Sequence, residues 1–65
     1  MTKLERIITN YEEDITEVEV CSQEFGQFVA NIIRITSQEN GEPLFIVCDM
    51  NDDVFEVELS EVEII

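Results

Sequence analysis

The sequence predicts an α+β chain that is mainly β. A short N-terminal helix comes first, then a strongly bent antiparallel sheet of four to five strands, open or closed into a small barrel. Three observations predict this. Apolar residues recur at helical spacing only as far as Tyr11. From Thr16 onward they alternate with polar residues or form short apolar blocks bounded by turn residues. The chain has 65 residues, room for one domain, residues 1–65, and for a thin core.

The helix is read from its start signal and its stripe. Thr2 and Glu5 stand at capping-box spacing. Leu4, Ile7, Ile8 and Tyr11 follow at i, i+3, i+4 and i+7, one face of a helix over Lys3 to about Glu13. The charges oppose the helix dipole. Lys3 and Arg6 lie near its positive end, and Glu12, Glu13 and Asp14 near its negative end. Each such placement costs about 0.3–1 kcal/mol at low salt. The expectation is therefore that the helix stops near Asn10. The alternative is that these acids are kept for another purpose.

The strands follow in order. In "ITEVEVCS", Thr16, Val18, Val20 and Ser22 share one face, and Ile15, Glu17, Glu19 and Cys21 the other. "SQEFG" is a tight connection in which Gly26 supplies a positive φ or a bulge. "QFVANIIRIT" is apolar on both faces: Phe28, Ala30 and Ile32 on one, Val29, Ile33 and Ile35 on the other. That pattern predicts a bent central strand covered on both sides. Asn40-Gly41 in "SQENGEP" is a hairpin signal, and Pro43 is tolerated at the start of the next strand, "LFIVCDM". "NDD" turns the chain. "VFEVEL" then directs Phe55, Val57 and Leu59 inward and Glu56 and Glu58 outward. In "SEVEII", Ser60 and Glu63 are placed to cap one 3₁₀ or helical turn before a last short strand, Val62 to Ile65.

Charge bounds the function. Sixteen acids face Lys3, Arg6 and Arg34, a formal net charge of −13. This exceeds the magnitude of roughly 2–8 that suits a small soluble domain. Self-repulsion costs stability, so added salt is expected to stabilise the fold. Direct nucleic-acid binding needs clustered Lys and Arg and is excluded, and an anionic membrane is disfavoured for the same reason. A basic protein surface or a cation is the natural partner. The competing explanation is that the acids serve solubility alone. Hydrophobic content of 45 % separates the chain from disordered acidic tails. The opening "MTKLERIITNYEED" has no continuous apolar stretch, so no secretory leader is expected. The expected setting is the cytoplasm, of a cell or of a virus-infected host cell.

Catalysis has little support. The chain has no His, the commonest general base and metal ligand. Ser22, Ser37 and Ser60 have no evident base, and Cys21 and Cys48 stand in acidic surroundings that oppose thiolate formation. These two cysteines form no CxxC pair and read as buried free thiols, with one bridge across neighbouring strands left open. "DMNDDVFEVELS" invites a calcium reading, since Asp49, Asn51 and Asp53 fill positions 1, 3 and 5 of an EF-hand loop. Val54 stands where Gly is needed and Ser60 where the bidentate Glu is needed, so the segment reads as a polar hairpin tip. No metal, no cofactor and no enzyme activity are expected.

The acids on strands carry the sharper hypothesis. Residues two apart along a strand lie about 6.6 Å apart on one face. Glu17/Glu19, Glu56/Glu58 and Glu61/Glu63 have that spacing, with Asp52 and Asp53 at the rim. Such rows on a rigid sheet compete for Lys and Arg placed to neutralise phosphates. The expected role is an acidic protein-binding module, acting as a nucleic-acid mimic that inhibits a nucleic-acid-binding or defence enzyme. The alternative is a small structural, adaptor or oligomer-forming domain, with Ile64 and Ile65 divided between a seam and a homo-oligomer interface.

The order of helix, four strands, short turn and fifth strand, with the ending "VFEVELSEVEII", resembles the SH3-like or Sm-like form across the whole chain. It implies an architecture and no functional residue. The opening "MTKLERII" resembles the start of the uracil-DNA glycosylase inhibitor of a bacillus phage over one or two helical turns, and it too assigns no residue a role.

Overall fold

A computed structural model describes residues 1–65. Thr2 Oγ1 accepts the Glu5 N–H at 3.2 Å, and Glu5 Oε1 accepts the Thr2 N–H at 3.0 Å. This is the predicted capping box, and it opens helix α1, Lys3–Glu12. The Thr2 backbone N–H, then the Thr2 hydroxyl, hold the Glu5 carboxyl below its ordinary pKa by bonding to its charged form.

The helix does not stop near Asn10. It runs to Glu12 with no base in its last turn. Asp14 adopts left-handed backbone at φ 63°. Its N–H bonds the Tyr11 carbonyl at 3.2 Å, and the Ile15 N–H bonds the Asn10 carbonyl at 2.8 Å. This pair of bonds is a Schellman closure with Asp where Gly is usual. It satisfies carbonyls that an earlier stop would have had to satisfy in another way. Ile7 is buried, with Leu4 and Tyr11 packed beside it, so the apolar stripe adds to the gain. Together these outweigh the unfavourable charges.

Five strands follow: β1 Glu17–Ser22, β2 Gly26–Ser37, β3 Pro43–Cys48, β4 Val54–Glu58 and β5 Val62–Ile64. All neighbours are antiparallel, in the order β4-β3-β2-β1-β5. The predicted α+β, mainly β architecture is therefore present, and its sheet is open, not a closed barrel. β4 and β5 are both edges. Aromatic side chains link β4 to the far end of the β1–β2 hairpin. Phe25, in the β1–β2 connection, and Phe28 of β2 lie 4.9 Å and 5.0 Å, ring centroid to centroid, from Phe55 of β4. Tilted pairs at such distances are favourable.

The core is one layer between the sheet and α1: Ile7, Val18, Val20, Ala30, Ile32, Phe45, Val47, Val57 and Val62. Strand alternation supplies it. Val18, Val20 and Ser22 point inward as predicted, and the Ser22 Oγ accepts the Glu24 and Phe25 N–H groups at 3.1 Å each.

β2 is not covered on both sides. Ile32 pairs with Val47 and Arg34 with Ile46, so Ile33 is an extra residue, a β-bulge. The bulge reverses the alternation. Ile35, expected on the face of Val29 and Ile33, lies opposite Phe45 and packs against the core. Val29 and Ile33 remain exposed.

The cysteines also depart from expectation. Both are free, Cys21 exposed and Cys48 half-buried, because each has the outward parity of its strand. Cys21 lies opposite Gln27 and Cys48 opposite Asn31. Those rungs are about 13 Å apart along β2, beyond the reach of a disulfide. The cap on the last turn is shifted as well. A 3₁₀ turn spans Leu59–Glu61, and its cap is the Glu61 carboxylate accepting the Glu58 N–H at 2.9 Å, not Ser60 with Glu63. Ile64 packs against the core, while Ile65 stays exposed.

Candidate functional site

The acids on alternating strand positions fall on the outer face of the sheet and along its two edges. Glu17 and Glu19 project from β1, Glu63 from β5, and Glu56 and Glu58 from β4. Glu19 and Glu63 are direct partners across the β1–β5 ladder. Like charges placed so oppose pairing.

The 3₁₀ turn connects the two edges. Glu58 and Glu61 join Glu24, Cys21, Gln23 and Ser60 around a shallow open depression of about 500 Å³. Glu19 lies beside Cys21, whose thiol donates to it at 3.8 Å. The result is an acidic belt running from β4 over the turn to β5 and β1. Lys3 is its one base: its Nζ lies 3.3 Å from Glu63 Oε1 and donates to the Leu59 carbonyl at 2.8 Å.

The belt's members differ in how far the fold already uses them. The Glu61 carboxylate is occupied by the Glu58 N–H. Glu58 accepts from Gln38 Nε2 at 3.2 Å. Glu63 has Lys3. Glu17 and Glu56 are exposed, with no hydrogen bond or ion pair to their carboxylates within the chain. They are the most available of the five strand acids.

Asp52 and Asp53 sit apart, at the β3–β4 tip, at the opposite end of β4 from Glu58. Asp49 organises that tip. Its Oδ1 accepts the Asn51 and Asp53 N–H groups at 2.9 Å each. Asp49, outside the predicted set, is thus a turn-former, as its place before "MNDD" suggests. No group of three or more metal-ligating side chains is gathered anywhere in the chain.

Partial desolvation, then the Glu19 carboxylate, pushes the Cys21 thiol above its ordinary pKa. Partial desolvation, then Asp52, Asp49 and Asp53, does the same to Cys48. Both sulfurs are therefore held as thiols, the unreactive form.

The outer face also carries apolar residues that the predicted site did not include. Val29, Ile33 and Val54 are exposed there, with Leu44, Ile46 and Cys48 partly buried between them. Their signal was the two-sided apolarity of β2, which alone does not distinguish a second layer from a bare face. Arg34 is exposed on the rung of Ile46 and Glu56 and forms no ion pair.

No protein-family model, no curated protein and no solved structure matches this chain. No helix is long and apolar enough to cross a membrane.

Proposed function

We propose that the chain is a non-enzymatic binding module whose acidic belt occupies a basic surface on another protein, as a nucleic-acid mimic that inhibits a nucleic-acid-binding or defence enzyme. The carrying observation is the belt: acids from β4, the 3₁₀ turn, β5 and β1 on a rigid sheet, with Lys3 the single base among them. A surface of that kind attracts Lys and Arg arrays and repels nucleic acid.

The test is displacement of a labelled DNA duplex from purified basic DNA-handling enzymes. The chain is expected to displace DNA at about 50 mM salt and to lose most of that effect near about 500 mM, where screening shortens to a few ångströms. Glu56→Lys combined with Glu58→Lys should abolish it. Displacement that ignores salt, or survives the double reversal, overturns the reading.

A second reading, a structural or adaptor domain that forms a small oligomer, is favoured by the two unpaired sheet edges and the exposed Ile65. Sedimentation at micromolar concentration tests it. A dilute, stable monomer counts against assembly.

A further inference from the structure

We propose that the outer face of β2 and its neighbours is the apolar centre of a docking surface for a basic amphipathic helix of a partner protein. This rests on the binding role proposed above and names the partner's chemistry.

Strand register assembles the patch. Glu17 pairs with Asn31, and the Ile32 N–H to Thr16 carbonyl bond of 2.9 Å holds the segment before β1 against β2, with Ile15 next to it in the chain. Asn31 pairs onward with Cys48, and Cys48 with Val54. Val29 sits beside Glu19, with Met50 just beyond the end of β3. Ile15, Val29, Ile33, Met50 and Val54 are between 47 % and 93 % exposed. Val29, Ile33 and Val54 stand on the outer face, with Ile15 and Met50 in the segments next to its strands, and exposed apolar residues so grouped mark a contact surface.

Charge names the occupant. Glu17 and Glu19 border the patch along β1, and Glu56 with Asp52 and Asp53 borders it along β4 and its tip. A second copy would bring the same acids against these and the same net charge of −13. A helix with an aliphatic row flanked by Lys and Arg meets both features at once. A helix of about 18 residues is about 27 Å long, which matches a molecule measuring 29 × 27 × 16 Å.

The experiment uses the intact chain and two synthetic peptides of about 18 residues, identical in composition. One places Leu and Ile at i, i+3, i+4 and i+7 with Lys on either side; the other is scrambled to destroy that stripe. Fluorescence anisotropy is expected to show the amphipathic peptide binding roughly tenfold or more tightly, the effect of burying part of one large aliphatic side chain. Val29→Ser with Ile33→Ser should remove that advantage and leave the salt-sensitive binding of the scrambled peptide intact. Arg34→Glu, an exposed change, should strengthen binding of the amphipathic peptide. Equal affinity of the two peptides overturns the inference, as does an advantage that survives the serine pair or a weakening by Arg34→Glu. Loss of all binding in Glu56→Lys/Glu58→Lys, with no effect of the serine pair, keeps the acidic-belt reading and removes this one. Binding indifferent to every substitution removes both. Self-association abolished by the serine pair makes the occupant a second copy and also overturns it.

Discussion

The β2–β3 and β3–β4 hairpins share one turn geometry and reach it with different residues. In the first, the Gln38 N–H bonds the Glu42 carbonyl at 2.8 Å and the Gly41 N–H bonds the Gln38 carbonyl at 3.0 Å. In the second, the Asp49 N–H bonds the Asp53 carbonyl at 3.0 Å and the Asp52 N–H bonds the Asp49 carbonyl at 3.1 Å. Both are three-residue loops that end in a left-handed residue, Gly41 at φ 86° and Asp52 at φ 65°. Glycine adopts that conformation without a side-chain penalty. Aspartate does not, and its loop carries the stronger side-chain support. Asp49 accepts two N–H groups, where Asn40 Oδ1 accepts one, from Glu42 at 2.9 Å. Backbone strain in one turn is offset by a carboxylate; in the other it never arises.

The sharpest way to break this comparison is to remove the carboxylate. Asp49→Ala is expected to cost about 2 kcal/mol, near 1 for each hydrogen bond lost. Asn40→Ala should cost about half as much by the same reckoning. Urea unfolding followed by circular dichroism reads both. Equal costs for the two substitutions would mean that the aspartate turn leans on its side chain no more than the glycine turn does.

Next comes the glycine. A Cβ built on Gly41 meets nothing within 4 Å, so Gly41→Ala tests the backbone alone. Its expected cost is about 1–1.5 kcal/mol, the left-handed penalty of an L-residue. The converse, Asp52→Gly, should gain about 1 kcal/mol by relieving the same penalty, less the extra chain entropy that glycine loses on folding. If Asp52→Gly destabilises, the Asp52 side chain contributes more to the tip than its weak contact with the Cys48 thiol, 3.9 Å, suggests.

These turns also show where the sequence was legible. Asn40-Gly41 marked a hairpin correctly, but dipeptide chemistry favours a two-residue loop, and only the partner strand fixes the third residue. The helix start was legible because Thr2 and Glu5 act locally. The helix end was not, because aspartate in a left-handed cap is rare and Asp14 looked like a charge fault. Strand faces in β1 and β4 followed from alternation. In β2 the bulge at Ile33 sent Ile35 inward and left Ile33 outside with Val29, a choice made by pairing with β3 at Ile33 and Ile35 and with β1 at Val29 rather than by residue type. For the candidate site, the parity of Glu17, Glu19, Glu56 and Glu58 was readable. That the 3₁₀ turn links the two edges, and that Glu61 and Glu63 are partly occupied within the chain, depends on how far the sheet bends.

The smallest effect separates the two burdens that Asp52 carries. Asn also tolerates left-handed backbone, so Asp52→Asn keeps the conformation and removes one charge from a chain of formal charge −13. At low salt it should gain a few tenths of a kcal/mol from reduced repulsion. Salt should raise the stability of the parent chain by screening the same repulsion, so the Asn gain should fade as salt is added. The gain from Asp52→Gly should persist, because its larger part is backbone strain, which ions do not screen. Thermal unfolding of the parent and both variants across a salt series reads the two components separately. Parallel behaviour of the variants would make charge, not φ, the burden at the tip and would remove strain from the comparison of the two turns.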